Sequence, residues 1–510
     1  MRRPARALEL GVTCAAAAAV VVVAVVVLIG HAPVAWLLLG YSGAVTLGVL
    51  VVQVWHARWF EPLTVIAAFA LFSFVLRALQ VFLGAEDLLS FYPTTDPFDQ
   101  YLRLETSETA QFVTEELKEP LQPALTRAIG AVAIFVTLVV VGYVLPWGPR
   151  LGKRLQRIGR RSAGSMNVRS VVAVCFAIAA VGQVVVLVKV GGPIEAVNNS
   201  IQHTVLRAGL AEHFLIGFGV IGLLIWAAWS RPRSTRARVA FALTTLEIVL
   251  FFAIAGSRTR LVLVLGMLAI VSHFLWRPWR SREVVVAVLL VVVLASALLG
   301  IRQATLEKST GDALKSAPTY ITDPRGILND LNEFDYVFEA TSVIGSPHEY
   351  HLPAPFQYGN GFWQAVHPFV PGSLDSGKPE SRDQEFRKII WGETQGEGRP
   401  YTVIGDFWND FGFAGVVVGS LLFGLFSRAM LGLVSAGSEG AGREYRVILY
   451  AMGLMLVYIG VSTTYSVTVG FLVIFGLPLL LAMHVIRPAA NRVDGHLAAR
   501  SRRSEQAAVR

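Results

Sequence analysis

The chain has 510 residues, of which 54% are hydrophobic and only 15% charged. Soluble domains carry about 25% charged residues, so an ordinary soluble fold is excluded. The net charge of +9 sits in short linkers between apolar blocks, which argues for the positive-inside pattern of a membrane protein and against nucleic acid as a partner. Cys14 and Cys175 both fall inside apolar blocks, which argues against a disulfide framework or a cysteine zinc site.

The apolar blocks run to roughly 18–23 residues, enough to cross a hydrocarbon core as helices. They predict an all-α polytopic membrane protein with about 12 transmembrane helices. In chain order the spans fall at 11–30, 34–54, 62–83, 124–146, 169–190, 211–230, 238–255, 259–276, 283–300, 411–433, 446–462 and 466–486. Arg2, Arg3 and Arg6 precede the first block in the manner of a signal peptide. That block is too long for a typical signal core, so it reads as an uncleaved span.

Orientation follows from the arginines. Linker 147–168 carries Arg150, Lys153, Arg154, Arg157, Arg160 and Arg161, and linker 231–238 carries Arg231, Arg233, Arg236 and Arg238. Arg277, Arg280 and Arg282 fill the next alternate linker, and the tail 487–510 is basic again. Twelve spans with both termini cytoplasmic put all of these on one side. The other side then receives an acidic loop at 84–123 and one large extracytoplasmic loop at 301–410, between spans nine and ten. The chain thus divides into a membrane bundle at 1–300, the large loop at 301–410, a second membrane bundle at 411–486 and a basic cytoplasmic tail. Loop 301–410 is too long for a plain connector, and functional loops are the usual reason for such length. The tail's arginines suit attraction to anionic lipid.

Charged groups near the apolar blocks are the first candidates for chemistry, because an arginine in mid-span costs about 2.5–3.5 kcal/mol and normally faces protein or a wet cavity. Arg77 lies in the outer half of span three, where it either snorkels or meets an acid. Glu247 lies among apolar neighbours in span seven, where a structural hydrogen bond or ion pair is the simplest role. Residues 256–260 read GSRTR and form the only break between spans seven and eight. Arg258 and Arg260 would diverge on a regular helix, but at a turn they can converge on one anion, and guanidinium forks suit phosphate oxygens. Arg302 follows span nine at the same level, and Lys189 and Arg207 flank the outer loop 191–206.

The large loop supplies His348, His351 and His367, whose side chains titrate nearest neutral pH and are candidate bases. Their spacing forms no metal-binding motif, and no metal or cofactor is expected. The loop ends on TVIGDFWNDFGFAG, residues 402–415, just before an apolar, glycine-spaced run. Asp406 and Asp410 share a helix face if the span begins early. Either could take a proton from a sugar hydroxyl, and either could cap the helix that follows. Gly412, Gly415, Gly419 and Gly424 read as close-packing positions. Neither a P-loop nor a nucleophile elbow occurs, which argues against ATP-driven and serine-hydrolase chemistry.

The order of these features resembles the oligosaccharide repeat unit polymerases, the Wzy-like O-antigen polymerase family. The likeness rests on Gly191, Gly192 and Arg207, on the outer-face turn Gly256, Ser257 and Arg258, and on the large loop. It ends on Ile404, Gly405, Asp406, Phe407, Asn409 or Asp410, Phe411, Gly412 and Gly415. The chain departs from the pattern at Asp406, where a Glu is expected, and in the length of loop 84–123.

The resemblance implies a glycosyltransferase of the bacterial cytoplasmic membrane acting on undecaprenyl-pyrophosphate-linked glycans, without a cofactor. Arg258, Arg260, Arg302, Arg207 and Arg77 would then bind pyrophosphate. Asp406, Asp410 or His367 would activate the acceptor hydroxyl, and Trp363, Trp391, Tyr401 and Trp408 would stack on sugar rings. A chain-length regulator and a flippase are the protein partners it implies. An O-antigen-ligase-like transferase and a lipid-linked glycan transporter are the alternatives.

Overall fold

The computed structural model describes residues 34–76, 78–79, 121–158, 167–192, 210–232, 234–254, 258–291, 293, 358, 361, 402–435 and 442–486. The expected span 11–30, loop 84–120, the tail and all of 301–401 except Tyr358 and Gly361 lie outside them. The described chain is all-helical. Among the described residues seven helices are long and apolar enough to cross a membrane, and two shorter apolar helices, Pro62–Leu76 and Arg260–Trp276, accompany them.

We number the helices α1 Val34–Trp55, α2 Pro62–Phe69, α3 Leu121–Val144, α4 Trp147–Ile158, α5 Val168–Val190, α6 Leu210–Trp229, α7 Thr235–Ile254 and α8 Arg258–Val271. Next come α9 at 281–291, α10 Thr402–Leu431, α11 Arg443–Ser462, α12 Tyr465–Phe471 and α13 Leu477–Val485. One-turn π segments continue α2 over Ala70–Leu76 and α8 over Ser272–Trp276, and Leu472–Gly476 joins α12 to α13. Such wide turns inside membrane helices often mark functional positions.

Contacts fix the direction of each helix against its neighbours. Tyr41 bonds Thr137 at 2.8 Å near the start of α1 and the middle of α3, and Tyr143 donates to Glu61 at 3.0 Å beyond their other ends, so α1 and α3 run parallel. α3 and α10 are also parallel: Phe135 meets Phe423, and farther down a Cβ at Gly148 would press on the Arg428 side chain. The Trp276 indole donates to the Ala227 carbonyl at 2.9 Å, which aligns the ends of α6 and α8. Arg443 reaches the Phe274 carbonyl at 2.8 Å, so α11 starts where α8 stops. One end of the bundle therefore gathers residues 55–61, 144–158, 229–232, 234–235, 272–283, 428–435 and 442–446, which include the described parts of the basic linkers. The opposite end gathers Gly191, Leu210, Arg258, Phe411 and Thr464.

Two apolar cores fill the bundle. One is built from α1, α2, α3 and the first part of α10, around Phe74, Phe135 and Tyr143. The other is built from α5, α6, α7, α8 and α11, around Ile221, Leu224, Phe252 and Tyr450. Small residues let backbones touch: Cβ atoms at Gly142 or Gly424 would collide with the Leu421 or Val139 carbonyl oxygen. Such contact is how membrane helices gain packing without a hydrophobic drive from water.

Two expectations need revision. The linker 147–168 contains α4, whose Trp147, Leu151 and Leu155 recur at helical spacing beside Arg150, Lys153 and Arg154. Trp147 and Leu151 are exposed, however, and the face that lies on the bundle carries the buried Gly148 and Gly152. Gly152 meets the Ala429 carbonyl and the Gly432 backbone, and Gln156 donates to the Gly432 carbonyl. The second revision concerns the stretch just before span ten: residues 402–410, expected as the end of the large loop, are helical, and the break at Phe411 and Gly412 falls where the span was expected to begin.

Candidate functional site

Thr402–Leu431 is two helices joined by a reversal. Phe411 has φ −144° and ψ 17°, and Gly412 has φ 59° and ψ −145°. The second pair is a backbone state essentially confined to glycine. In one straight helix Phe407 and Gly419 would lie about 18 Å apart along the axis. Instead a Cβ at Gly419 would be 2.6 Å from the Phe407 ring, and one at Gly415 would collide with the Phe407 carbonyl oxygen. The arm 402–410 is thus turned back along the span. The 19 residues from Phe413 to Leu431 remain as the crossing helix, about 28 Å long.

The arm is buried. Val403, Ile404 and Trp408 belong to the first core with Val416, Val457 and Val461. Asp406 and Asp410, each only 4% exposed, point from one face of the arm into two neighbouring segments. Asp406 Oδ2 accepts the Tyr465 backbone N–H at 2.6 Å. Tyr465 opens α12, and its N-cap Thr464 makes no side-chain cap of its own. The first amides of a helix have no acceptor within the helix, and a carboxylate there also complements the positive end of the dipole. Asp406 therefore caps a different helix from the one the sequence suggests. Asp410 Oδ1 accepts the Gly361 N–H at 3.2 Å, and the Asp410 carbonyl accepts the Tyr358 N–H at 2.9 Å. A Cβ at Gly361 would stand 2.8 Å from that carboxylate, so the glycine lets the loop backbone come this close. Both carboxylates accept backbone amides, and both are poorly exposed for a base that must meet a sugar hydroxyl.

α8 brings its basic end to the same level. Gly266 lies against the Met455 sulfur, and α8 and α11 run in opposite directions. Arg260 is six residues before Gly266, about 9 Å along the axis. The same climb from Met455 reaches Val461, next to the Ser462–Thr464 corner and Tyr465. Arg260 is partly buried there. The helix already begins at Arg258, so the Cα atoms of Arg258 and Arg260 lie about 200° apart round its axis. The expected turn that would converge both guanidinium groups is therefore not the local backbone.

Other expected residues find plainer roles. Lys189 is ion-paired with Glu212, tying the end of α5 to the start of α6. Glu247 accepts a 2.7 Å hydrogen bond from Gln183 across α7 and α5, as a structural role required, although on the exposed side of α7 rather than inside the bundle. Trp408, expected to present a ring to sugars, is 8% exposed and meets Phe413 edge-on at 4.6 Å. It is a core residue, because the reversal turns it inward. Arg77, Arg207, Arg302, His367, Trp363, Trp391 and Tyr401 lie outside the described residues. Among the described residues no group of three His, Cys, Asp or Glu could hold a metal.

Sequence reasoning missed Tyr465, Tyr358 and Gly361, whose roles are played by backbone amides. Only the N-cap position of Thr464, ahead of an apolar run, left a trace in the sequence. Comparison of the chain with protein-family models, with curated proteins and with solved structures finds no match.

Proposed function

We propose that this chain is an integral-membrane glycosyltransferase of the bacterial cytoplasmic membrane. It polymerises undecaprenyl-pyrophosphate-linked oligosaccharide repeat units at the outer face for surface polysaccharide synthesis. The observation that carries this reading is that the folded-back arm and Arg260 lie at one level, at the bundle end opposite the basic linkers. The arm also holds the two described points of the large loop. Twelve spans with both termini cytoplasmic is the topology that belongs to this proposal. The parallel and antiparallel contacts among the described helices are those it requires.

In the proposed reaction the acceptor hydroxyl oxygen attacks the anomeric carbon of the donor glycan. The bond from that carbon to the pyrophosphate oxygen breaks, and undecaprenyl pyrophosphate leaves with the electron pair. The hydroxyl proton passes to a base, and configuration inverts. Arg260 meets the charge that builds on the leaving pyrophosphate, where fixed electrostatics contribute most. Asp406 and Asp410 act as positioning residues, and His367 on the large loop takes the role of base.

Arg260→Ala is expected to abolish long-chain glycan while the protein level and the single-repeat lipid intermediate persist. Arg260→Lys keeps charge without the bidentate fork and should recover only short chains. A wild-type chain-length distribution in the alanine variant would remove the pyrophosphate role.

A further inference from the structure

At the end of the bundle that carries the basic linkers, α9 stands off from its neighbours. Val284 is buried, whereas Val285, Val286, Val288, Leu289 and Leu290 are exposed. Between this helix and the end of α8 lies an open crevice of about 510 Å³, within the range of small-ligand sites. Its lining combines basic Arg231, Arg277 and Arg282 with apolar Val286, Ala287 and Leu290 of α9.

The side walls are already held in place. Trp276 is fixed by its bond to the Ala227 carbonyl, and the Trp279 amide donates to His273 Nδ1 at 3.0 Å. Arg277 is used internally: its two terminal nitrogens fork onto Glu283 at 2.9 and 2.8 Å. The Arg280 amide also donates to that carboxylate, at 2.9 Å. Arg231 and Arg282 pair with no acid among the described residues. Two guanidinium groups without an acid among the described residues thus sit beside an apolar slot along α9.

We propose that this crevice binds one anionic phospholipid of the surrounding leaflet. Arg231 and Arg282 hold its phosphodiester, and an acyl chain lies along Val286, Ala287 and Leu290. Charge complementarity selects an anionic head group, and the interfacial indoles of Trp276 and Trp279 suit the depth of that group. The site lies at the opposite end from the glycan site and does not depend on the glycosyltransferase reading.

The test is native mass spectrometry of the full-length chain titrated with phosphatidylglycerol or phosphatidylcholine. The wild type is expected to retain one phosphatidylglycerol, to release phosphatidylcholine, and to keep its lipid in millimolar inorganic phosphate. Arg231→Gln with Arg282→Gln should weaken that binding about 30-fold, which corresponds to about 1 kcal/mol for each arginine. Ala287→Trp fills the slot without changing charge and should also lose the lipid; a monodisperse profile with an unchanged melting temperature identifies folded variants. Retention of phosphatidylglycerol by both variants overturns the proposal. Equal binding of phosphatidylcholine, or displacement by phosphate alone, overturns it as well.

Discussion

The two ends of the bundle use carboxylates differently. At the basic end Glu61 accepts from the side chains of Tyr143 at 3.0 Å and Gln53 at 3.4 Å and is ion-paired with Arg58 at 3.6 Å. Glu283 takes the Arg277 fork together with the Arg280 main-chain amide three residues before it. At the opposite end Asp406 and Asp410 take the main-chain amides of Tyr465 and Gly361. A side-chain partner can be exchanged for another residue. An amide belongs to a segment, so its acceptor decides where that segment sits. The basic end relies mainly on side-chain pairs, whereas at the other end, beside the Lys189–Glu212 pair, two acids hold α12 and the loop backbone at Gly361 against one arm.

The largest expected effect comes from undoing the arm itself. Gly415→Val puts two methyl groups where the Phe407 carbonyl stands and should destabilise the fold by about 3 kcal/mol. Limited proteolysis in membranes should then cut near the arm, with glycan polymerisation lost; an uncut, active variant would refute the reversal.

A smaller effect separates positioning from catalysis at Asp406. Asp406→Ala leaves the Tyr465 amide without its acceptor and should cost about 2 kcal/mol. Asp406→Asn keeps an oxygen for that amide and should retain long-chain glycan on a gel. A folded asparagine variant with no polymer would make Asp406 the base instead.

The smallest effect belongs to the basic end. Glu61→Gln still accepts from Tyr143, so the melting temperature should correspond to a loss of about 0.5–1 kcal/mol, with glycan length unchanged. A change in chain length there would erase the contrast between the ends.

Much of the frame was legible in the sequence. Apolar blocks at 34–54, 124–146, 169–190, 211–230 and 446–462 coincide with helices to within a few residues, because burial in a bilayer demands length and hydropathy above all. The arm was not legible. Asp406, Asn409, Asp410 and Gly412 read locally as a polar approach to a span. Asp406 and Asp410 lie in a buried helix, and their oxygens accept the amides of Tyr358, Gly361 and Tyr465, far away in the chain. The expected start of span eight at 259 agrees with α8, which begins at Arg258; the sequence did not show that Arg258 and Arg260 both lie on that helix. The glycines fared better, since Gly415, Gly419 and Gly424 all stand at close approaches. Their partner Phe407, however, emerges only with the reversal.

The most direct measurement is reconstitution of the purified chain in proteoliposomes with an undecaprenyl-pyrophosphate-linked repeat unit from its own cell. The account predicts products of two and more repeats on the lipid carrier, one undecaprenyl pyrophosphate released for each linkage, and neither from the Arg260→Ala protein. Folded wild-type chain that leaves the single-repeat substrate unextended, or merely moves it between leaflets, would contradict it.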